Sequence, residues 1–190
     1  KLLRIKKQLH KHETANSKML WCASLLAFYG LLRVSEFTTP NQKSFNQHST
    51  LLRADISKSK KAIKINLKTA KNDPFHKGSV ITIARNSSDI CPLAATKAYL
   101  RIRGQSNGPL FIYSDGTYLT PRSFNQFINE TLPGHAARGT YSSHSFRIGG
   151  ATTLAALGYP DYTIQQLGRW SSDSFKLYIH IQATQGGWTI

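Results

Sequence analysis

The longest apolar run in the chain, Met19 to Leu32 (MLWCASLLAFYGLL), has to be placed before any other segment can be. Its 14 residues fall short of a membrane span, which takes about 20, and Arg33 follows at once. The run is apolar on nearly every side: Leu20, Trp21, Leu25, Leu26, Phe28, Leu31, Leu32 and then Val34. A helix of that kind is buried, and the rest of the chain must build a core around it. Asn16 or Ser17 is placed to cap it, and the expected helix runs from about Lys18 to Phe37. With 190 residues, 40% of them apolar, the chain reads as one globular unit.

Charge is the compositional outlier. The chain carries 25 Lys+Arg against 9 Asp+Glu, a formal net charge of +16. Such a surplus points to a polyanionic partner: nucleic acid, or less often an anionic membrane surface. A generally basic, soluble surface is the competing reading. The charge is clustered, however, with Lys1, Arg4, Lys6, Lys7, Lys11 and Lys18 in one group. Arg53, Lys58, Lys60, Lys61, Lys64, Lys68, Lys71 and Lys77 form a second group, more like a binding face than a solubility device. The two cysteines, Cys22 and Cys91, sit in apolar surroundings and read as reduced core residues of an intracellular protein. The seven histidines are scattered and none pairs with a cysteine at ligand spacing, so neither metal nor cofactor is expected. The chain opens on KLLRIKKQLHK without an initiator Met, which reads as a fragment of a longer protein.

After Thr39-Pro40 comes a polar loop and then three strand-like runs, Leu51–Ser57, Lys61–Leu67 and Ser79–Ala84. The first two are expected as a hairpin, and the third follows a basic turn, KTAKNDPFHKG. Helices are then expected from Asp89-capped Pro92 to about Arg103, and from Thr120-capped Pro121 to about Thr131. Others are expected at Ser143–Leu157, from Pro160 to about Leu167, and from about Ser172 to Gln182. The fold class is α+β: mostly helical, with a small three-stranded antiparallel sheet.

Two arginines stand out. Arg33 and Glu36, at i and i+3, share a helix face. They form either a structural ion pair or a carboxylate holding a guanidinium for an external anion. His144 and Arg147 have the same spacing in the first turn of their helix, where free N–H groups favour an anion. They are either a surface pair or a phosphate grip. Gly149 and Gly150 permit close packing behind them. Arginine suits phosphate because its planar fork binds two oxygens and stays charged. Tyr178 on its own is no more than a packed or surface tyrosine.

Taken together, FYGLLRVSEFT, AKNDPFHKG, CPLAATKAYLRIRG, GPLFIYSDGTYLT, HSFRIGGATTLAALG and IQQLGRWSSDSFKLYIH resemble, in order, the blocks of the tyrosine recombinase catalytic domain. This is the phage-integrase, Xer and Cre superfamily, and the likeness is strongest to the Crypton-type recombinases of eukaryotic mobile elements. The resemblance covers 19–182. It implies a DNA recombinase or transposase domain that cuts and rejoins strands through a covalent 3′-phosphotyrosyl link. A domesticated, catalytically silent DNA-binding module is the alternative.

By resemblance, Arg33 and Arg147 hold the scissile phosphate, Glu36 orients Arg33, and His144 is the histidine of the HxxR pair. Tyr178 is the nucleophile. Lys71 is the general acid, with Lys68 as the alternative. Trp170 takes the family's His/Trp position, with Arg169 as the alternative. Lys58, Lys60, Lys61, Lys68 and Lys77 are expected to contact DNA. Double-stranded DNA is the implied partner, with tetrameric self-association on it, no membrane, and a nuclear location. Residues 1–18 are expected to be a basic linker or the remnant of an upstream core-binding domain, and 19–190 the catalytic domain.

Overall fold

The computed structural model describes residues 1–68, 78–132, 141–177 and 179. Its elements are α1 (Leu2–Leu9), α2 (Ala15–Tyr29), α3 (Val34–Phe37), β1 (Ile56–Lys58), β2 (Ala62–Leu67), β3 (Ser79–Ala84), α4 (Pro92–Arg103), α5 (Pro121–Thr131), α6 (Ser143–Ala156) and α7 (Asp161–Gly168). Single 3-10 turns occupy Arg53–Asp55 and Asp173–Phe175. The fold is α+β, mostly helical, as the sequence leads one to expect.

Helix α2 is the central post. Met19, Leu25 and Leu26 are wholly buried, and each such side chain stabilises by roughly 1.5–3 kcal/mol. Helices α1, α4 and α6 pack against it. Its N-cap is Thr14, earlier than the expected Asn16 or Ser17. Thr14 Oγ1 accepts from the Ser17 amide at 3.0 Å, and Ser17 Oγ accepts in return from the Thr14 amide at 2.8 Å. The segment 1–18, expected as a linker or remnant, thus contributes α1 and the start of α2 to the core, and Ile5 of α1 is 1% exposed.

The single helix expected from Lys18 to Phe37 is two helices. Gly30 caps α2, and Leu31 takes a left-handed conformation at φ 48°. Arg33, extended, then caps α3, its amide donating to Glu36 Oε2 at 2.8 Å. Apolar patterning carries straight through this break, so periodicity does not reveal it.

The sheet is antiparallel in the order β1-β2-β3. Ile56 faces Ile65 across the first pair, and Ile63 faces Ile83 across the second. In β2, Ile63, Ile65 and Leu67 are buried while Lys64 and Asn66 are exposed, the alternation of a half-buried strand. The first strand is shorter than expected because Arg53–Asp55 coils into a turn held by Asp55 Oδ2 on the Leu52 amide. Helix α4 is capped by Cys91 rather than Asp89, which lies 3.9 Å from Lys6.

The buried apolar residues fall into two clusters. The larger one surrounds α2, with Phe37 edge-to-face on Phe111 and Phe124. The smaller joins Leu31, Ala151, Ile164, Phe175 and Ile179, with Trp170 packed against it. Leu31, in the turn after α2, thereby ties the segment that carries Arg33 to the C-terminal helices.

Candidate active site

The turn after α2 presents Arg33 and fixes it twice. Arg33 Nη1 donates to Glu36 Oε1 at 2.9 Å, and Nη2 donates to the Arg169 carbonyl at 3.0 Å. The Glu36 side chain is only 4% exposed and that of Arg33 20%. Both earlier readings of this pair describe part of the geometry: Glu36 is a buried structural partner, and the guanidinium it holds faces a cleft.

Helix α6 brings His144 and Arg147. Ser145 Oγ accepts from the Ser142 amide, and Asn125 Oδ1 takes the Ser143 amide at 2.7 Å, so α5 fixes the start of α6. Arg147 is 2% exposed. Its Nη1 donates to the Leu31 carbonyl and its Nη2 to the Gly168 carbonyl. Those contacts require α6 to approach the end of α2 closely. Gly150 provides for that: a Cβ there would stand 2.4 Å from the Phe28 carbonyl oxygen.

Helix α7 ends at Gly168 and is followed by Arg169, its C-cap, and Trp170. Arg169 is left-handed at φ 57°. That turn sends successive side chains to opposite sides. Trp170 faces the cleft and lies over the Arg147 guanidinium, 4.0 Å from carbon to ring centroid. Arg169 turns inward. It donates to Glu36 Oε2 at 2.9 Å and to the carbonyls of Leu31 and Leu167 at 3.0 Å each. Gly168 leaves room for the indole, because a Cβ there would overlap the Trp170 ring.

The result is a cleft of about 480 Å³ lined by Arg33, Ser143, His144, Arg147, Trp170 and Ser174 among others. Burial, then the neighbouring Arg33 and Arg169, push the Arg147 guanidinium down to about 9. It still carries its charge at neutral pH. Burial and then Arg147 lower His144, so the imidazole is neutral there. The cleft therefore combines fixed positive charge with a neutral imidazole and several hydroxyls. That chemistry suits a phosphodiester: charge neutralisation at the non-bridging oxygens, with donors that need no reorganisation.

Arg33, His144, Arg147 and Trp170, from three separate segments, share this cleft. Glu36 and Arg169 lie behind it. Lys71, Lys77 and Tyr178 lie outside the described residues. Lys68 is engaged elsewhere: its Nζ lies 3.1 Å from Asp55 Oδ2 and donates to the Gln47 carbonyl at 2.8 Å. Lys58, Lys60 and Lys61 are exposed where β1 turns into β2. Sequence reasoning missed the clustered hydroxyls of Ser143, Ser172 and Ser174, and it missed the Leu31 carbonyl that two arginines share. Only the repeated Ser residues of SSDS gave a signal. Among the described residues no group of His, Cys, Asp and Glu could hold a metal ion, and no helix is long and apolar enough to cross a membrane.

Solved structures with the same fold include the XerH site-specific recombinase bound to difH substrate in a pre-cleavage complex. The TM-score is 0.67 at 15% identity, over 93% of this chain and 48% of that one. The XerA recombinase gives 0.59 at 16% identity, over 89% and 59%. The Tn1549 transposon integrase in complex with circular intermediate DNA gives 0.55 at 16% identity, over 84% and 53%. The chain thus spans about half the length of the recombinases it matches. No curated protein shows a significant sequence match. The phage integrase family model matches residues 2–185, almost the whole sequence, and the chain belongs to that family.

Proposed function

We propose that this chain is the catalytic half of a tyrosine recombinase, which cuts and rejoins duplex DNA. The observation that carries this is the convergence of Arg33, His144, Arg147 and Trp170 on one cleft, although more than a hundred residues separate Arg33 from His144. A phosphodiester in the cleft meets Arg33 and Arg147 at its non-bridging oxygens. The Trp170 indole N–H and the His144 imidazole supply further donors. The Tyr178 hydroxyl releases its proton to solvent water as its oxygen attacks phosphorus, forming the phosphotyrosyl bond as the bond to the 5′-oxygen breaks. Lys71 gives that oxygen its proton. A 5′-hydroxyl of another strand then reverses the step, so no external energy source enters.

Support for DNA as the partner comes from the net charge of +16 and from the DNA-bound state of the recombinases that share the fold. The exposed Lys58, Lys60 and Lys61 extend the basic surface, and the sequence adds Lys77 to the residues assigned to DNA contact. The remaining length of those relatives leaves room for a second DNA-binding unit and for assembly into a tetramer. The GRW sequence at 168–170 favours the eukaryotic mobile-element branch, and with it a nuclear location.

The test is a nicked suicide duplex carrying the element's own ends, offered to the protein with its N-terminal half in place. The wild type forms a covalent protein–DNA adduct, and Tyr178→Phe forms none. A wild type that yields no adduct overturns the proposal.

A further inference from the structure

We propose that Arg169 is a positioning residue that offsets the Glu36 carboxylate, so that Arg33 keeps its charge for an oxyanion in the cleft. This rests on the phosphate-handling reading above. Glu36 supplies one negative charge, and two guanidiniums divide it. Arg33 takes Oε1 and Arg169 takes Oε2, both at 2.9 Å. In so buried a position a carboxylate paired with Arg33 alone would cancel most of the charge Arg33 offers a ligand. Three guanidiniums, Arg33, Arg147 and Arg169, against the Glu36 carboxylate leave the cluster with a net excess of two positive charges. Without Arg169 one remains.

Arg169 itself is not placed to touch a ligand. Its side chain is 13% exposed. Its two Nη groups are spent on Glu36 and on the carbonyls of Leu167, Leu31 and, at 3.3 Å, Gly30, while its Nε is buried without a hydrogen-bond partner among the described residues. Its own carbonyl accepts from Arg33 Nη2. Residue 169 thus holds Arg33 directly through its backbone and indirectly through Glu36. Among the described residues, Arg169 and Leu31 are the two non-glycine positions with positive φ, and Arg169 Nη2 on the Leu31 carbonyl joins them. A left-handed conformation is strained for a non-glycine residue, and such strain persists where surrounding contacts over-determine it. Here the guanidinium's contacts add to the helix C-cap bonds, in which the Arg169 amide donates to the Gln166 carbonyl and the Trp170 amide to that of Gln165.

The probe is orthovanadate, a phosphate analogue that adopts the five-coordinate geometry of phosphoryl transfer, titrated into the 190-residue chain by calorimetry. The wild type binds one equivalent, and Arg147→Gln abolishes it, which places the site in the cleft. Arg169→Ala binds roughly tenfold more weakly, a loss typical of coupled neighbours in one charge network. Arg169→Lys, which restores the charge beside Glu36, stays within about threefold of the wild type. The decisive variant is the double change Arg169→Ala with Glu36→Gln. Removing the carboxylate makes its counter-charge unnecessary, so affinity returns toward the wild type. A merely structural role predicts that the double variant binds no better than Arg169→Ala. If Arg169→Ala does not fold, Arg169→Gln takes its place in the same comparison. Wild-type affinity in the Arg169 single variant, or a double variant that binds no better than the single, overturns the role of Arg169 while leaving the phosphate-handling reading standing. A wild type with no vanadate site in the cleft removes both.

Discussion

Arg147 and Trp170 form a stack, guanidinium carbon 4.0 Å from ring centroid, in which the indole roofs a guanidinium that is only 2% exposed. A desolvated cation–π contact of this kind contributes up to about 2 kcal/mol. The ring also lies 5.5 Å from that of Phe175, so one side chain joins the cleft to the smaller core. Trp170→Ala is therefore expected to lower stability by about 2–4 kcal/mol. Trp170→Phe, which keeps an aromatic face over Arg147, costs less than about 1.5 kcal/mol. Urea denaturation of the two variants measures the difference; equal losses would mean that the aromatic face contributes nothing.

Gly150 makes a second expectation. A Cβ at this position stands 2.4 Å from the Phe28 carbonyl oxygen and 2.5 Å from Leu31 Cδ2, and backbone cannot yield as a flexible side chain would. Gly150→Ala should destabilise by about 1–3 kcal/mol or more. It should also separate Arg147 from the Leu31 carbonyl. Gly149 is the control. Its Cβ would meet the Phe28 ring at 3.4 Å, and alanine brings a helix-propensity gain of about 1 kcal/mol. Thermal unfolding should show a clear loss for Gly150→Ala and almost none for Gly149→Ala.

These two sites also show where sequence is informative. Helices α4 and α5 can be read directly because Pro92 and Pro121 stand at their first turns and Gly104 and Leu132 close them. The sheet can be read from the alternation in β2. The break between α2 and α3 cannot, because its cause is tertiary: Leu31 turns its carbonyl toward Arg147, 116 residues away. Arg169 and Trp170 pose the same difficulty. By spacing they compete for one role. A left-handed Arg169 separates them, putting the indole in the cleft and the guanidinium behind it, and no local propensity favours that conformation in an arginine. The residue types of the site are visible in the chain, but the division between those facing the cleft and those bracing it is not.

His144 gives the fold a pH dependence of known sign. Its pKa in the folded chain lies below the ordinary 6.5, through burial and then the nearby Arg147 charge. Just below pH 6.5 the unfolded chain therefore binds more protons at this position than the folded one. Stability from this group is fully present above that value. It declines as the pH falls toward the folded pKa, and below that the loss is complete and constant. The urea midpoint of the wild type should fall between pH 7 and pH 5 by more than that of His144→Gln. Parallel curves for the two proteins would show that His144 titrates alike in both states.

In the proposed mechanism Lys68 and Lys71 compete for the role of proton donor, and the environment of Lys68 separates the expected results. Its ammonium is held between Asp55 Oδ2 at 3.1 Å and the Gln47 carbonyl at 2.8 Å, a brace between the turn before β1 and the end of β2. Asp55 in turn holds the Leu52 amide at 2.8 Å. Lys68→Ala should therefore act on stability, by at most about 1 kcal/mol for a partly exposed pair, and leave strand cleavage within about threefold of the wild type. Lys71→Ala should do the reverse. Losing a general acid costs a hundredfold or more, about 10²–10⁴ in rate, with little change in the unfolding midpoint. A substrate whose scissile 5′-oxygen is replaced by sulfur tells the two apart by mechanism, since a thiolate leaves without a proton. On that substrate Lys71→Ala should cleave at close to the wild-type rate. Rescue of Lys68→Ala instead, with Lys71→Ala cleaving the ordinary substrate normally, would transfer the role to Lys68 and require its ammonium to leave Asp55 when DNA binds.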